Sequence, residues 1–136
     1  MTKVYWITGC KNAGKTTLAY EISDYHYEWN MCNVVLDGDE VRALFPTGFT
    51  DNNRFENIMR IIKTAKLLQD QEITAIVAAV TPYVEMRDLV RESFGDSLRL
   101  IYIPGGELWE GTTYDIPPEE HIYATYKWDM DVQEIL

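Results

Sequence analysis

Short apolar runs alternate along this chain with longer segments in which apolar residues recur every three or four positions. Continuous apolar runs are typical of buried strands, whereas the longer spacing is typical of helices with one buried face. Strands are predicted over residues 4–7, 33–36, 73–80, 98–103 and 122–126. Helices are predicted after residue 14, over 41–45, from about 51 to 68, over 85–94 and over 129–136.

Several residues indicate where these helices begin and end. Pro46 and Gly95 are predicted to end the second and fourth helices, because neither residue continues a helix well. Asp51 or Asn52 is predicted to cap the third, since a short polar side chain accepts hydrogen bonds from the first free amide groups. The first helix is expected to carry an apolar face made of Leu18, Ile22, Tyr25 and Trp29.

The alternation of strand and helix predicts an α/β fold. We expect a mainly parallel sheet of five strands with helices on both faces and right-handed crossovers. The length of the chain, 136 residues, is that of a single domain. Ligands of such sheets bind beyond the carboxyl ends of the strands, and the motifs described next all follow a predicted strand.

A phosphate-binding loop, or P-loop, is predicted at the end of the first strand. Residues 9–16 read G-x-x-x-x-G-K-T between a strand and a helix, the context in which this motif cradles nucleotide phosphates. Lys15 is expected to reach the β- and γ-phosphates, and the Thr16 hydroxyl to ligate Mg²⁺. A chance match in a glycine-containing turn is the alternative, and the flanking strand and helix disfavour it. The loop residues predicted to bind ATP are Gly9, Cys10, Lys11, Asn12, Ala13, Gly14, Lys15 and Thr16.

Two carboxylates follow the second strand. Asp37 and Asp39 are expected to face the P-loop, where they could hold Mg²⁺ through water and accept a proton from a substrate hydroxyl. Arg42 lies one helical turn beyond Asp39 and therefore on the same side. The alternative is a solvated turn, because Asp-Gly is a common turn pair.

The third helix begins with residues suited to binding an anion. Arg54 and Asn57 are three positions apart, so they share one face of the helix. A guanidinium group binds an anion through two parallel hydrogen bonds, and an amide can orient a base or a hydroxyl. Phe49, in the preceding loop, could stack on a planar ring. An exposed helix face and ordinary core packing are the structural alternatives.

Thr81 and Arg87 follow the third strand. A hydroxyl and backbone groups at Thr81 would line the same crevice, although this residue could equally serve to end the strand. Arg87 could bind a ligand or pair with Asp88 or Glu85.

The composition restricts the classes of partner. Lys and Arg number 12 against 22 Asp and Glu, a formal net charge of −10, which disfavours binding to nucleic acid or to an anionic membrane. No apolar run is long enough to cross a bilayer, and no secretion signal is recognisable. The cysteines, Cys10 and Cys32, do not form a C-x-x-C motif, so reduced thiols and a cytoplasmic location are expected. The histidines, His26 and His121, lie too far apart in sequence to suggest a zinc site.

Together these motifs resemble those of the adenylylsulfate kinase family of P-loop kinases, over about residues 3–103. The resemblance rests on the order and spacing of the P-loop, D-G-D-x-x-R at 37–42, F-T-D-x-x-R-x-x-N at 49–57, T-P-Y at 81–83 and Arg87. It implies that ATP and Mg²⁺ are used to phosphorylate the 3′-hydroxyl of adenosine 5′-phosphosulfate.

The resemblance also implies roles for individual residues. Residues from Gly9 to Thr17 would hold the ATP phosphates and Mg²⁺. Asp37 and Asp39 would organise the metal and the attacking hydroxyl, with Asp39 as the first choice for proton acceptor. The residues implied to bind the phosphosulfate substrate are Arg42, Phe49, Arg54, Asn57 and Thr81.

The chain departs from the family pattern after the fourth strand. Members usually carry a basic lid there, but this sequence has no Lys or Arg between Arg99 and Lys127. The second stacking aromatic of the family has its nearest counterpart in Leu108 or Trp109, of which Trp109 could serve. Without the lid cations, the site would lack positive charge that stabilises the transition state. Without the lid itself, it would lack a cover that excludes water.

Alternative functions therefore stay open at the level of sequence. One is a kinase of the same fold that acts on another nucleoside or nucleotide hydroxyl, and another is a nucleotide-binding module without catalysis, which the missing lid cations favour. Polynucleotide kinase activity is disfavoured by the acidic charge. A homodimer is expected from the resemblance, because kinases of this family are commonly dimeric.

Overall fold

A computed structural model describes residues 1–108 and 112–136 of the protein. In this part of the chain, five strands form one parallel sheet in the order β2-β3-β1-β4-β5. The strands are β1 (Val4–Gly9), β2 (Asn33–Asp37), β3 (Thr74–Ala78), β4 (Leu98–Ile103) and β5 (Ala124–Thr125). The predicted α/β fold is confirmed, and every pairing is parallel.

Four α-helices connect these strands within the described residues. They are α1 (Lys15–Glu28), α2 (Gly38–Leu44), α3 (Asp51–Asp70) and α4 (Val84–Phe94). Short 3-10 turns cover Gly95–Ser97, Glu119–His121 and Val132–Ile135. Because parallel strands all point the same way, their carboxyl ends, and the loops that follow them, meet at one edge of the sheet.

The core lies on both faces of the sheet, as predicted from the apolar runs. Successive side chains of a strand point to opposite faces. Accordingly, Trp6 on β1 packs with residues of α3 and α4, such as Ile61 and Met86. Its neighbour Ile7 packs on the other face with Leu18 of α1 and Ile101 of β4.

Several local predictions were wrong. Trp29 caps the end of α1 and is 65% exposed, and Tyr25 is only half-buried. The predicted apolar face of α1 is therefore not fully buried at these two positions. Thr50, rather than Asp51 or Asn52, caps α3, because its hydroxyl accepts a hydrogen bond from the Asn53 amide at 3.2 Å. The fifth strand contains two residues instead of five, and the terminal segment ends in a 3-10 turn instead of an α-helix.

The segment after β4 is attached to the sheet through Tyr114. The Tyr114 hydroxyl lies 2.8 Å from the Thr8 hydroxyl on β1, and its ring stacks on Tyr102 with the centroids 6.1 Å apart. The Asp115 amide donates to the Pro82 carbonyl at 2.8 Å. These contacts connect residues 112–115 to the ends of β1, β3 and β4, the edge at which ligands are expected to bind.

Burial raises the pKa of Tyr114 to about 12, from 10.0 for an ordinary tyrosine. The unfolded chain therefore loses this proton first, and stability that is present below about pH 10 should be lost as the pH rises towards 12. The free energy of unfolding of wild type should fall by on the order of 2 kcal/mol more than that of Tyr114→Phe over this range. Denaturant titrations at several pH values measure this difference.

Tyr27→Phe is the matched control, because Tyr27 is 79% exposed on α1. Its stability should follow that of wild type across the same pH range. Parallel curves for wild type and Tyr114→Phe would show that burial of the Tyr114 phenol has no such effect.

Candidate functional site

The P-loop connects β1 to α1 at the carboxyl edge of the sheet. Gly14, at the N-cap of α1, has a φ of 103°, a left-handed conformation that favours glycine. The loop closes on itself through a hydrogen bond of 3.2 Å from the Ala13 amide to the Cys10 carbonyl. Because α1 begins at Lys15, its first amide groups and the positive end of its dipole are directed towards the loop. This is an anion-binding geometry.

The Lys15 side chain folds back across the loop. Its Nζ donates to the Cys10 carbonyl at 2.8 Å. Burial lowers the pKa of Lys15, and the negative charges of Asp39 and Asp37 oppose that effect. The two carboxylates therefore lie close enough to Lys15 to help keep it protonated, as the sequence predicted for residues that face the P-loop.

Thr16, which follows Lys15 in the sequence, forms a hydrogen-bonded pair of oxygen-bearing side chains with Asp37. The Thr16 hydroxyl donates to Asp37 Oδ2 at 2.6 Å, across 21 positions of sequence. The other oxygen, Oδ1, accepts from the amides of Asp39 at 2.8 Å and Glu40 at 3.4 Å, which caps α2 and fixes the carboxylate.

This pair suits Mg²⁺, which prefers oxygen ligands and is usually held by one or two protein groups together with water and substrate phosphates. No cluster of three or more His, Cys, Asp or Glu side chains suited to a metal occurs among the described residues. A site of that kind is not needed for a metal that is bound mainly through phosphate oxygens.

Arg42, Arg54 and Asn57 meet at the other end of the site. Arg42 Nε and Nη1 and Asn57 Oδ1 are buried and have no hydrogen-bond partner within the described residues. Arg54 donates to the Thr112 hydroxyl at 3.0 Å, and Asn57 donates to the Gly38 carbonyl at 3.3 Å. Buried polar groups are normally hydrogen-bonded, so unpaired ones indicate a place for a ligand.

The electrostatics of this end favour an anion. Burial lowers the pKa of Arg42, and the neighbouring charge of Arg54 lowers it further, whereas Asp39 raises it. Two guanidinium groups close enough to repel each other are stabilised by an anion that binds both. Asp39 raises the pKa of both Lys15 and Arg42, and it lines the cavity that these two residues share.

One cavity of about 430 Å³ joins the two ends. The predicted site residues that line it are Lys11, Asn12, Gly14, Lys15, Thr16, Thr17, Asp37, Asp39, Arg42, Arg54, Asn57 and Thr81. The sequence therefore predicted correctly that residues from four separate segments meet at one place.

Other predicted site residues lie elsewhere. Gly9 is buried where β1 passes β4, and a β-carbon there would come within 2.7 Å of the Ile103 carbonyl oxygen, so it serves close packing. Cys10 contributes its carbonyl to the loop and lines a smaller, separate cavity. Ala13 belongs to the buried core on the α1 side.

The three predicted contacts to the substrate base have different outcomes. Phe49 is 62% exposed, and the Arg42 guanidinium lies 4.5 Å from its ring centroid, outside the cavity lining. The Thr81 hydroxyl is turned inward, where it accepts from Trp6 Nε1 at 2.9 Å and donates to the Ala79 carbonyl at 3.0 Å. Trp109 lies outside the described residues.

Arg87 is a structural residue in this arrangement. It donates to the Thr81 carbonyl at 3.0 Å and to the Asp115 carbonyl, and its guanidinium lies 5.4 Å from the Tyr114 ring centroid. These contacts, rather than the predicted ion pairs with Asp88 or Glu85, explain its burial.

Residues of the segment after β4 also contact the site and were not predicted from the sequence. Glu107 forms a β-bridge to Lys11, with its amide 2.7 Å from the Lys11 carbonyl, and Thr112 lines the cavity beside Arg54. Gly106 permits this approach, because it has a φ of 80° and a β-carbon there would lie 2.6 Å from the Lys11 carbonyl oxygen. The Gly-Gly pair at 105–106 was the available signal.

A parallel sheet in this strand order, with a P-loop between β1 and α1 and a pair of arginines lining the same cavity, is typical of a P-loop kinase. The comparisons with known proteins identify the family within this class. The sequence profile described as "Adenylylsulphate kinase" matches residues 1–105. The chain therefore belongs to the adenylylsulfate kinase family.

Curated relatives and solved structures agree with this assignment. The adenylyl-sulfate kinase of Acaryochloris marina is 37% identical over 94 residues, which is 68% of this chain and 46% of the relative. The enzyme of Bacillus velezensis is 39% identical over 93 residues, 67% of this chain and 47% of the relative. A mutant of the Mycobacterium tuberculosis APS kinase superposes with a TM-score of 0.82 at 27% identity, covering 98% of this chain and 90% of that one.

The chain spans about half the length of the curated relatives that it matches. A second structure of the Mycobacterium tuberculosis enzyme, in complex with AMPPNP and APS, has the same TM-score of 0.82 at 22% identity and shows the shared fold. In the described part of the chain, no helix combines the length and the apolar character needed to cross a membrane.

Proposed function

We propose that this chain transfers the γ-phosphate of ATP to the 3′-hydroxyl of adenosine 5′-phosphosulfate, with Mg²⁺ as the metal. One observation carries the proposal. A single cavity joins a P-loop to a second end where Arg42 and Asn57 have buried polar atoms without a partner among the described residues. A donor with several phosphates would bind at the P-loop end of this cavity, and an anionic acceptor would bind at the arginine end.

At the donor end, the amide groups of the P-loop and the start of α1 would bind the phosphates of ATP. The Lys15 amine would move from the Cys10 carbonyl, 2.8 Å away, to the β- and γ-phosphate oxygens. Thr16 and Asp37 would hold Mg²⁺. When bound, this ion neutralises charge that develops on the transferred phosphoryl group.

At the acceptor end, Arg42 and Arg54 would bind the phosphosulfate group through charge-assisted hydrogen bonds. The Asn57 amide oxygen, which is buried, would accept a hydrogen bond from the substrate. Phe49 would stack on the adenine after moving from its exposed position, and Thr81 would contribute backbone rather than its hydroxyl. Trp109 is the proposed second stacking residue.

Asp39 is the proposed proton acceptor. Its carboxylate acts electrostatically on both Lys15 and Arg42, so it lies where the donor phosphate and the acceptor hydroxyl would meet. An acidic side chain in hydrogen-bond reach of a hydroxyl can orient it and take its proton during transfer. Phosphoryl transfer otherwise requires mainly positioning and neutralisation of charge.

The segment after β4 differs from a basic lid in the residues that it places at the site. It contributes the carboxylate of Glu107 to the outer side of the P-loop, where Asn12 donates to it at 3.5 Å, and the hydroxyl of Thr112 to Arg54. Neither group supplies positive charge. We therefore expect slower transfer than in a member of the family with lid cations.

The direct test is an assay with purified protein, ATP, Mg²⁺ and adenosine 5′-phosphosulfate. We expect a product that carries the new phosphate on the 3′-oxygen. A panel with nucleosides, nucleotides and gluconate as acceptors should give slower turnover. Turnover of another acceptor without any turnover of adenosine 5′-phosphosulfate would contradict the proposal, as would ATP binding without transfer to any acceptor.

We further propose that the reaction takes place in the cytoplasm as a step of sulfate assimilation. The thiols of Cys10 and Cys32 are free in the described part of the chain, as a reducing compartment would keep them. A homodimer stays a prediction, to be measured by light scattering.

A further inference from the structure

Trp128 packs on the P-loop from the segment that follows β5. Its indole Nε1 donates a hydrogen bond to the Ala13 carbonyl at 3.3 Å. Its six-membered ring lies so close to Gly14 that a β-carbon at that position would come within 1.9 Å of Trp128 Cζ2. The indole is therefore in direct contact with the backbone that forms the phosphate cradle.

Tyr126 holds this indole in a fixed orientation. The two rings are nearly perpendicular, at 83°, with their centroids 5.2 Å apart. Tyr126 itself is 2% exposed, and its amide donates to the Tyr102 carbonyl of β4 at 2.9 Å, so it is anchored to the sheet. An aromatic ring that is already oriented loses little conformational entropy when a ligand packs against it.

Trp128 nevertheless leaves 52% of its surface exposed. The residue lies next to the loop whose amide groups would bind phosphate, at the carboxyl edge of the sheet. An isolated exposed aromatic residue needs no explanation. Here, however, the position is specific, because the structure keeps the ring both fixed and accessible beside an anion-binding loop.

The size of the cavity indicates why such a surface is needed. The cavity has a volume of about 430 Å³ and is lined by P-loop residues as well as by Arg42 and Arg54. A single drug-sized ligand already occupies a pocket of roughly 300–1,000 Å³. With an anionic acceptor at the arginine end and a triphosphate at the P-loop, the base of the donor must lie outside this cavity, on the P-loop side.

We infer that the base of the donor nucleoside triphosphate stacks on the exposed face of Trp128. This inference rests on the proposed function, since it requires the triphosphate to lie in the P-loop. Stacking on an aromatic ring depends little on which base is stacked, because every base has a π-face. Trp128 would then increase the affinity for ATP and GTP alike, and would not affect a ligand that has phosphates but no base.

The test compares the binding of ATP, GTP and inorganic tripolyphosphate, each with Mg²⁺, by isothermal titration calorimetry. Trp128→Leu should bind ATP and GTP about tenfold more weakly than wild type. Its affinity for tripolyphosphate should stay within about twofold, since that ligand uses only the loop and the metal. Trp128→Phe, which keeps a ring but loses the Nε1 hydrogen bond, should recover most of the loss for ATP.

Trp29→Leu is the matched control. Trp29 is 65% exposed at the far end of α1, which at 1.5 Å per residue lies about 20 Å from the P-loop. This variant should bind all three ligands as wild type does. Thermal unfolding of each variant, followed by circular dichroism, identifies any loss of folded protein before binding is measured.

Any of three results would overturn the inference while leaving the proposed function intact. One is unchanged ATP affinity in Trp128→Leu, and another is an equal loss for ATP and tripolyphosphate, which would mean that Trp128 only supports the loop. Equally weak ATP binding by Trp128→Phe and Trp128→Leu would also overturn it. If wild type bound neither ligand and Lys15→Ala changed nothing, the proposed function would fail too.

Discussion

Asp39→Asn should lower kcat for phosphorylation of adenosine 5′-phosphosulfate by about 10²–10⁴-fold, the usual contribution of a positioned proton acceptor. The Asp39 carboxylate raises the pKa of both Lys15 and Arg42, and it lines the cavity in which we propose that donor and acceptor meet. Its backbone amide, rather than its carboxylate, makes the hydrogen bond to Asp37 that caps α2. The substitution should therefore leave the fold and the Thr16–Asp37 pair intact. Steady-state kinetics with saturating ATP measure the change.

Glu40→Gln is the matched control for this substitution. Glu40 is the next residue of α2, is exposed and also donates its amide to Asp37 at 3.4 Å, but it does not line the cavity. It should retain kcat within about threefold. An Asp39→Asn enzyme with an unchanged kcat would show that another group accepts the proton, or that none is needed.

Arg42→Ala should raise KM for adenosine 5′-phosphosulfate by about 10–100-fold, because a hydrogen bond to a charged group contributes about 1.5–3 kcal/mol. The affinity for ATP should change little, since Arg42 lies at the far end of the cavity from the P-loop. Arg42→Lys should be intermediate, because an ammonium group keeps the charge but lacks the two-pronged geometry of a guanidinium. Initial rates at varied acceptor concentration separate these cases.

Arg60→Ala is the matched control for this second substitution. Arg60 lies on α3, as Arg54 does, but it binds Glu56 at 2.7 Å and the Phe45 carbonyl at 3.1 Å on the outer side. Its loss should leave KM for the acceptor unchanged. Equal effects of Arg42→Ala and Arg60→Ala on KM would indicate a general effect of charge and not a specific contact.

The predictions that succeeded depend on local sequence. The P-loop requires only a short run of residues between a strand and a helix, and Arg54 and Asn57 share a face because of the helical repeat. The pairing of Thr16 with Asp37 follows from one further fact, that the carboxyl ends of all strands of a parallel sheet meet at one edge, even though β3 lies between β1 and β2.

The features that the sequence did not reveal depend on contacts between distant residues. The Thr81 hydroxyl is bound by Trp6, 75 positions away, and the spacing around Thr81 gives no sign of it. Trp128 contacts Ala13 across 115 positions, and Tyr114 contacts Thr8 across 106. Such pairs are determined by how the segment after β4 crosses the edge of the sheet, and no periodic pattern in that segment indicates its path.

The proposed function requires above all that a donor phosphate and an anionic acceptor meet in the cavity between Lys15 and Arg42. A crystal structure of the chain with adenosine 5′-phosphosulfate and a non-hydrolysable ATP analogue tests it directly. We expect Arg42, Arg54 and Asn57 on the phosphosulfate group, and the 3′-oxygen about 2.6–3.2 Å from the Asp39 carboxylate. Adenosine 5′-phosphosulfate bound away from both arginines, or with its 3′-oxygen remote from Asp39, would contradict the account.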